Sequence, residues 1–154
     1  MPVPGGFVLE APSVFNNDAA GHAFGVEAVV DWHPLKWWRL LGSATLMDVK
    51  LPDNPTSAGN NPDHQFLVRS EMNLPHDLEA DAALRVVGPL EAHQVPAYTA
   101  LDLRLGWRPL ERLEVDLVGR DLLCGRHLEF VDEFLEVNPT EIRSDYCLKL
   151  AWHF

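Results

Sequence analysis

The sequence has little positive charge and no long hydrophobic run, and both shortages exclude classes of function. Its 154 residues include 12 Lys and Arg against 23 Asp and Glu, which gives a formal net charge of -11. Nucleic-acid binding needs a basic patch, so no nucleic-acid partner is expected. No stretch of about 18 apolar residues exists, which argues against a transmembrane helix. The opening MPVPGGFVLEAP has neither a basic nor an apolar signal region, so no signal peptide is predicted.

Reactive and metal-binding residues are also sparse. The two cysteines, Cys124 and Cys147, fit neither a disulfide framework nor a metal-ligand spacing. They are predicted on neighbouring strands, which leaves a disulfide between them as an open alternative. None of the seven histidines shares a face with a carboxylate partner at metal-ligand spacing. No nucleophile and base pair, phosphate loop or paired carboxylates are recognisable. We therefore expect no metal site, no cofactor and no enzymatic activity.

What the sequence has instead is alternation of apolar and polar residues with a period of two. The stretch FGVEAVVDW, for example, places Phe24, Val26, Val30 and Trp32 on one face. No segment has a convincing helical repeat. The alternation predicts an all-β protein with seven strands, at 22–32, 36–49, 64–74, 78–88, 96–107, 112–124 and 143–154. In the second strand the faces are less clear, and the apolar side is assigned to Trp38, Leu40, Ala44 and Leu46.

The connections between the strands alternate between short and long. Short turns containing proline are predicted at 33–36, 75–77 and 108–111. Longer loops are predicted at 50–63, 89–95 and 125–141. An antiparallel meander with tight turns at one end and long loops at the other is typical of an outer-membrane β-barrel. Aromatic residues gather at the short-turn ends, as an interfacial girdle would, and these are Trp32, Trp38, Trp107, Trp152 and Phe154.

A soluble β-sandwich or lipocalin-like barrel would alternate in the same way, with the apolar face packed into a core. Three features favour the membrane: the aromatic girdle, polar faces that mix both signs of charge, and a last strand that ends on Phe. The charged residues of the predicted lumen wall are Glu27, Asp31, Arg39, Arg69, Glu71, Glu79, Asp81, Arg85, Asp102, Arg104, Glu114, Asp116, Arg143, Asp145 and Lys149. They are predicted either to contact a plug or substrate or to form a lattice of cross-strand ion pairs.

Several stretches together resemble TonB-dependent outer-membrane receptors. GHAFGVEAVVDWHP with WWRLLGSATLMDV resembles a strand and hairpin of that family, and NPDHQFLVRSEMNLP resembles its next strand. QVPAYTALDLRLGWRP, LEVDLVGRDLLCGRHLEF and the terminal DYCLKLAWHF are similar to the strands that follow. The resemblance covers roughly residues 17 to 154. The chain departs from it at Asp121 and Cys124, where the family usually has Asn and then Asp or Asn.

The closing strand is the site that this resemblance singles out. Read at every second position, its apolar side is Tyr146, Leu148, Leu150, Trp152 and Phe154. The resemblance implies that these residues face lipid and carry the assembly signal read by the barrel-assembly machinery. The alternative is a core strand that happens to end the chain. The acidic stretch HLEFVDEFLEVNPTE is predicted to be a solvated loop, with recognition of an external ligand as the alternative.

The resemblance also implies a barrel of about 22 strands with an amino-terminal plug. Because only seven strands are predicted, residues 1–21 are expected to be the remnant of an extracellular loop and 22–154 the carboxy-terminal segment of the barrel. The expected location is the outer membrane of a Gram-negative bacterium. The expected partners are lipid, the rest of the barrel and plug, TonB and the assembly machinery. The implied function is import of scarce ligands such as iron-siderophore complexes or cobalamin. A passive pore or secretion barrel, and a soluble β-domain binding an apolar ligand, stay open as alternatives.

Overall fold

The computed structural model describes residues 20–52, 59–129, 131 and 140–154. Within these residues the fold is all-β, with one short 3-10 turn at Glu91–His93 as its helical part. The strands are β1 (His22–Leu35), β2 (Trp38–Lys50), β3 (His64–Leu74), β4 (Leu78–Val87), β5 (Tyr98–Leu110), β6 (Leu113–Arg120), β7 (Arg126–His127), β8 (Ile142–Arg143) and β9 (Asp145–Trp152). Residues 1–19, most of the predicted loop remnant, lie outside the described residues.

Seven of the strands form one antiparallel sheet, in the order β1-β2-β3-β4-β5-β6-β9. Each strand pairs with its neighbour along the chain, except that the two-residue strands β7 and β8 form a small ribbon of their own between β6 and β9. The sheet is open, because β1 and β9 are its two edges. The prediction of an all-β protein with an antiparallel sheet of about seven strands is therefore confirmed.

The tight turns lie at one end of the sheet, but two of them are displaced from their predicted positions. The first turn is 36–37 and the third is 111–112, each two to three residues later than predicted. Pro34 and Pro109 explain the difference. Both lie inside strands, where the pairing register shifts between Trp32 and Leu35 and between Trp107 and Leu110. Proline lacks a backbone N–H for the ladder and is tolerated at such irregularities.

The turn at 75–77 was predicted correctly, and its geometry follows from its residues. Leu74 pairs with Leu78, so three residues connect the strands. His76 and Asp77 both have positive φ, at 65° and 55°. Asp is one of the residues that tolerate the left-handed region best, whereas a β-branched residue would be strained there. The described residues of the remaining connections, at 51–52, 59–63, 88–97, 121–129, 131 and 140–144, follow strands at the opposite end of the sheet, and the other residues of the predicted long loops lie outside the described residues.

The ends of two strands differ from the prediction. β6 ends at Arg120 and not at 124, because Asp121 has a positive φ of 52° that extended pairing does not accommodate. The predicted strand 143–154 is divided at Ser144, whose hydroxyl donates to the Asp121 carbonyl oxygen at 2.7 Å. Its last described strand residue is Trp152. The backbone N–H of His153 still donates to the Arg112 carbonyl oxygen at 2.9 Å.

Candidate functional site

The sheet has two faces of different chemistry, and the pairing register assigns every strand residue to one of them. We call the apolar face the one that carries the large hydrophobic side chains. Its exposed members are Phe24, Val26, Val30, Trp32, Leu46, Phe66, Val68, Leu84, Leu103, Leu105, Trp107, Leu117, Tyr146, Leu148, Leu150 and Trp152. The weakly assigned second strand agrees, because Leu40 and Ala44 pair with Trp32 and Ala28 on this face.

The apolar face of this sheet is exposed, whereas the apolar face of a water-soluble sheet packs against a core. Among the described residues, the buried hydrophobic side chains are Val87, Val95 and Ala100. None of the three belongs to the apolar face, since Val87 and Ala100 are on the opposite face and Val95 is in a loop. The apolar face is therefore covered by no second layer of described residues.

The residues singled out on the closing strand mostly share this face. Tyr146, Leu148, Leu150 and Trp152 are 71%, 63%, 66% and 52% exposed. They pair with Gly119, Leu117, Val115 and Leu113 of β6. Phe154 was predicted as the last member of the strand, and this is wrong in detail, because β9 ends two residues earlier and leaves Phe154 fully exposed beyond it.

Tryptophans mark the tight-turn end of the apolar face. Trp38 is the first residue of β2 and Trp152 is the last of β9, while Trp32 and Trp107 each lie three residues before the end of their strands. The Trp38 indole N–H donates to the Ser70 hydroxyl at 2.9 Å on the same face. Four of the five aromatic residues predicted at the short-turn ends therefore lie at that end of the sheet.

The opposite face, which we call the polar face, carries ion pairs that run across neighbouring strands. On β1 to β3, the Arg39 guanidinium donates to both oxygens of Asp31, at 3.0 and 2.8 Å, and to Glu71 at 3.3 Å. Arg69 approaches the other Glu71 oxygen to 3.8 Å. The arrangement is the predicted lattice of cross-strand ion pairs rather than a cluster aimed at one point.

A second group of ion pairs is centred on Arg104 of β5. Its guanidinium donates to Asp81 at 2.8 Å and Glu79 at 3.0 Å on β4, and its Nη2 lies 2.6 Å from Asp116 on β6. Asp116 is 4% exposed and also accepts from Lys149 of β9 at 3.4 Å. Arg104 therefore joins three carboxylates, which repel one another, and neutralises part of their charge.

Gly106 makes this arrangement possible. It is the register partner of both Glu79 and Asp116, so it lies between two of the three carboxylates. A Cβ placed there would be 2.8 Å from the Arg104 Nη2 and 3.1 Å from an Asp116 oxygen. The guanidinium of Arg104 thus occupies the space above a residue that has no side chain. Sequence reasoning missed this role, although Gly in the interior of a strand signals a close approach of another group.

At the long-loop end, a small cluster attaches the last loop to the polar face. The His127 ring of β7 stacks on Tyr98 of β5 with centroids 4.2 Å apart, and Arg85 of β4 lies over the same tyrosine at 5.9 Å. Glu129 accepts from the His127 ring nitrogen at 3.1 Å and lies 3.5 Å from Arg85. The His127 side chain is almost fully buried. Glu141 belongs to a separate ion pair, 3.8 Å from Arg126. The other acidic residues of the predicted loop, Asp132, Glu133 and Glu136, lie outside the described residues.

Within the residues that the structure describes, the cysteines and the potential metal ligands do not come together in a common site. Cys124 and Cys147 are free thiols, so the alternative of a disulfide is not realised. The Cys124 thiol donates to the Thr99 carbonyl oxygen at 3.1 Å, and Cys147 is exposed on the polar face. In the described part of the chain, no group of three or more His, Cys, Asp or Glu is placed to hold a metal ion. In the same residues, no helix is long and apolar enough to cross a bilayer.

No protein-family model, curated protein or solved structure matches this chain.

Proposed function

We propose that this chain is the carboxy-terminal part of the β-barrel of a TonB-dependent outer-membrane receptor, which imports scarce ligands such as iron-siderophore complexes or cobalamin. The observation that carries the proposal is the exposed apolar face of the sheet, on which no second layer of described residues packs. Exposing so much contiguous apolar surface to water is unfavourable, whereas hydrocarbon is its natural solvent. A soluble β-domain would require a core on this face, so the burial argues against that alternative.

The dimensions and the tryptophans support a membrane location. The seven sheet strands contain 8 to 14 residues, and a tilted strand needs about 9–11 residues to cross the hydrocarbon layer. Trp32, Trp107 and Trp152 end the apolar face near the tight turns. Indole rings favour the interface between hydrocarbon and water. Short turns on this side and long loops on the other correspond to the periplasmic and external ends of outer-membrane barrels.

The open edges support a segment of a larger barrel. Seven antiparallel strands place β1 and β9 in the same direction, so joining these edges to each other would give one parallel pair in an otherwise antiparallel wall. Hydrocarbon does not tolerate unpaired backbone groups at a free edge. In our proposal, strands from the rest of the receptor pair with both edges, and Tyr146, Leu148, Leu150, Trp152 and Phe154 contribute the assembly signal at the seam.

The role of this segment is to supply wall and loops and not covalent chemistry. Its apolar face contacts lipid and its polar face lines the lumen, where the ion pairs of Arg39 and Arg104 brace adjacent strands. The ligand is bound outside and released by movement of the plug, which TonB drives from the periplasm. A passive pore or secretion barrel would use the same wall without a plug.

The membrane location is tested with the chain itself. We expect aggregation in plain buffer and a dispersed species in non-ionic detergent, measured by size-exclusion chromatography. In the complete receptor, placed in vesicles of brominated phosphatidylcholine and with the tryptophans outside this segment replaced by phenylalanine, tryptophan fluorescence should be quenched most by bromines near the headgroup. A sharp monomer peak in buffer would contradict the proposal. The transport class is tested by the reading frame upstream, where a plug domain and a TonB-contacting segment are expected; a barrel without them would be a passive pore.

A further inference from the structure

An open cleft of about 260 Å³ lies on the polar face between β3 and β6. Arg69 and Arg120 both line it, together with Ala83 and Asp102. Ala83 pairs with Arg69 on one side and with Asp102 on the other, so it forms the floor between them. The cleft exists because Ala83 has only a methyl group, whereas its neighbours Arg69 and Asp102 on this face have larger charged side chains.

The two arginines of this cleft are less strongly paired than Arg39 and Arg104. Arg39 and Arg104 hold two and three carboxylates respectively. Arg69, in contrast, has a single loose contact, 3.8 Å from Glu71. Arg120 forms no ion pair with any described residue, even though Asp145 is its register partner. Both side chains are exposed, so their guanidinium N–H groups are accessible to an anionic group from outside this segment.

The carboxylates around the cleft are already engaged. Glu71 accepts from Arg39, Asp81 accepts from Arg104, and Asp102 accepts from the backbone N–H of Asp121 at 3.0 Å. The cleft therefore offers the donors of Arg69 and Arg120, while its carboxylates Glu71 and Asp81 are held by Arg39 and Arg104. A guanidinium presents its N–H groups as a planar fork that matches a carboxylate or phosphate.

We propose that Arg69 and Arg120 form a binding site for a small molecule with two anionic groups, such as a dicarboxylate, held across Ala83. The arginines belong to β3 and β6, two strands whose backbones lie three strand spacings or roughly 14 Å apart. A ligand with one charge therefore engages one arginine, whereas a dianion engages both. The site requires only that the polar face be open to solutes. It goes beyond the proposed function, because it does not depend on what covers the apolar face.

The test is calorimetric titration of the full chain, in buffer or in non-ionic detergent, whichever keeps it dispersed. The probes are glutarate, its monoanionic analogue butyrate, and neutral glutaramide. Glutarate is expected to bind, butyrate about tenfold more weakly, and glutaramide not measurably, because each charged hydrogen-bonded contact contributes about one factor of ten or more. Arg69→Gln and Arg120→Gln should each weaken glutarate binding about tenfold.

The control is Arg126→Gln, which removes the same charge from an exposed arginine outside the cleft. It should leave glutarate affinity unchanged. Arg120→Lys keeps the charge without the fork and should restore part of the loss. Far-UV circular dichroism verifies the strand content of each variant. The proposal is overturned if glutarate does not bind to the folded chain, if butyrate binds equally well, or if Arg126→Gln weakens binding as much as Arg120→Gln. None of these outcomes depends on whether the chain needed detergent.

Discussion

In the proposed membrane location, charge placed along the closing strand should distinguish a lipid-facing side from a lumen-facing side and report the depth of each position. The perturbations are Leu148→Arg and Leu150→Arg, both on the apolar face, where the native side chains are 63% and 66% exposed. The matched control is Lys149→Leu, which lies between them in sequence and points to the polar face. Its ammonium contacts Asp116 at 3.4 Å and Glu114 at 3.7 Å.

The magnitudes follow from the position of Trp152, the last residue of β9. An antiparallel strand rises about 3.4 Å per residue, and a tilt of about 40° reduces this to roughly 2.5 Å of depth. With Trp152 at the interface, Leu150 is then about 5 Å and Leu148 about 10 Å deep in an apolar band about 25 Å tall. An arginine costs about 2–4 kcal/mol at the midplane and about 0–1 near the interface. We expect about 2–4 kcal/mol for Leu148→Arg and about 1–2 for Leu150→Arg.

Lys149→Leu should cost less than about 1 kcal/mol, because Lys149 is 61% exposed and exposed ion pairs are weak. The assay is urea unfolding of the complete receptor in short-chain phosphatidylcholine vesicles, followed by tryptophan fluorescence. Heat-modifiable gel mobility of the outer-membrane fraction should rank assembly in the same order. The reasoning is refuted if Lys149→Leu is as costly as Leu148→Arg, since the two faces would then be assigned wrongly. A larger loss of stability for Leu150→Arg than for Leu148→Arg would refute the depths assigned to these two positions.

Three further predictions concern the polar face and the last loop. Arg104→Gln should lower the free energy of unfolding by about 1–3 kcal/mol in urea titrations. The loss should be smaller than for a fully buried ion pair, because Lys149 still contacts Asp116. Gly106→Val should lower the free energy of unfolding by about 1–3 kcal/mol, because the new valine side chain displaces the Arg104 guanidinium. The double variant Gly106→Val with Arg104→Gln should lose less stability than the sum of the two single variants. His127→Ala should increase hydrogen exchange of 126–129, because the stack on Tyr98 is lost, and leave exchange in the sheet unchanged; an effect spread over the whole sheet would contradict a local attachment.

Much of the sheet could be predicted from the sequence, because alternation is a property of a single strand. Side chains of a strand point to opposite faces with a period of two, so the faces of β1, β3, β4 and β5 follow from their own residues. The prolines misled the turn prediction for an equally local reason. Pro34 and Pro109 are turn formers by preference, and only the pairing of the flanking strands shows them to be part of register shifts.

The sequence by itself determined that this protein is all-β, that each strand has one apolar face, and that tight turns alternate with long loops. The tertiary structure alone decided which charges meet. Arg104 reaches three carboxylates, while Arg120 has no ion pair with a described residue although Asp145 is opposite to it. Register and side-chain direction between strands settle such contacts, and neither can be read from one strand. The stack of His127 on Tyr98 likewise joins residues 29 positions apart, because a loop closes onto the sheet.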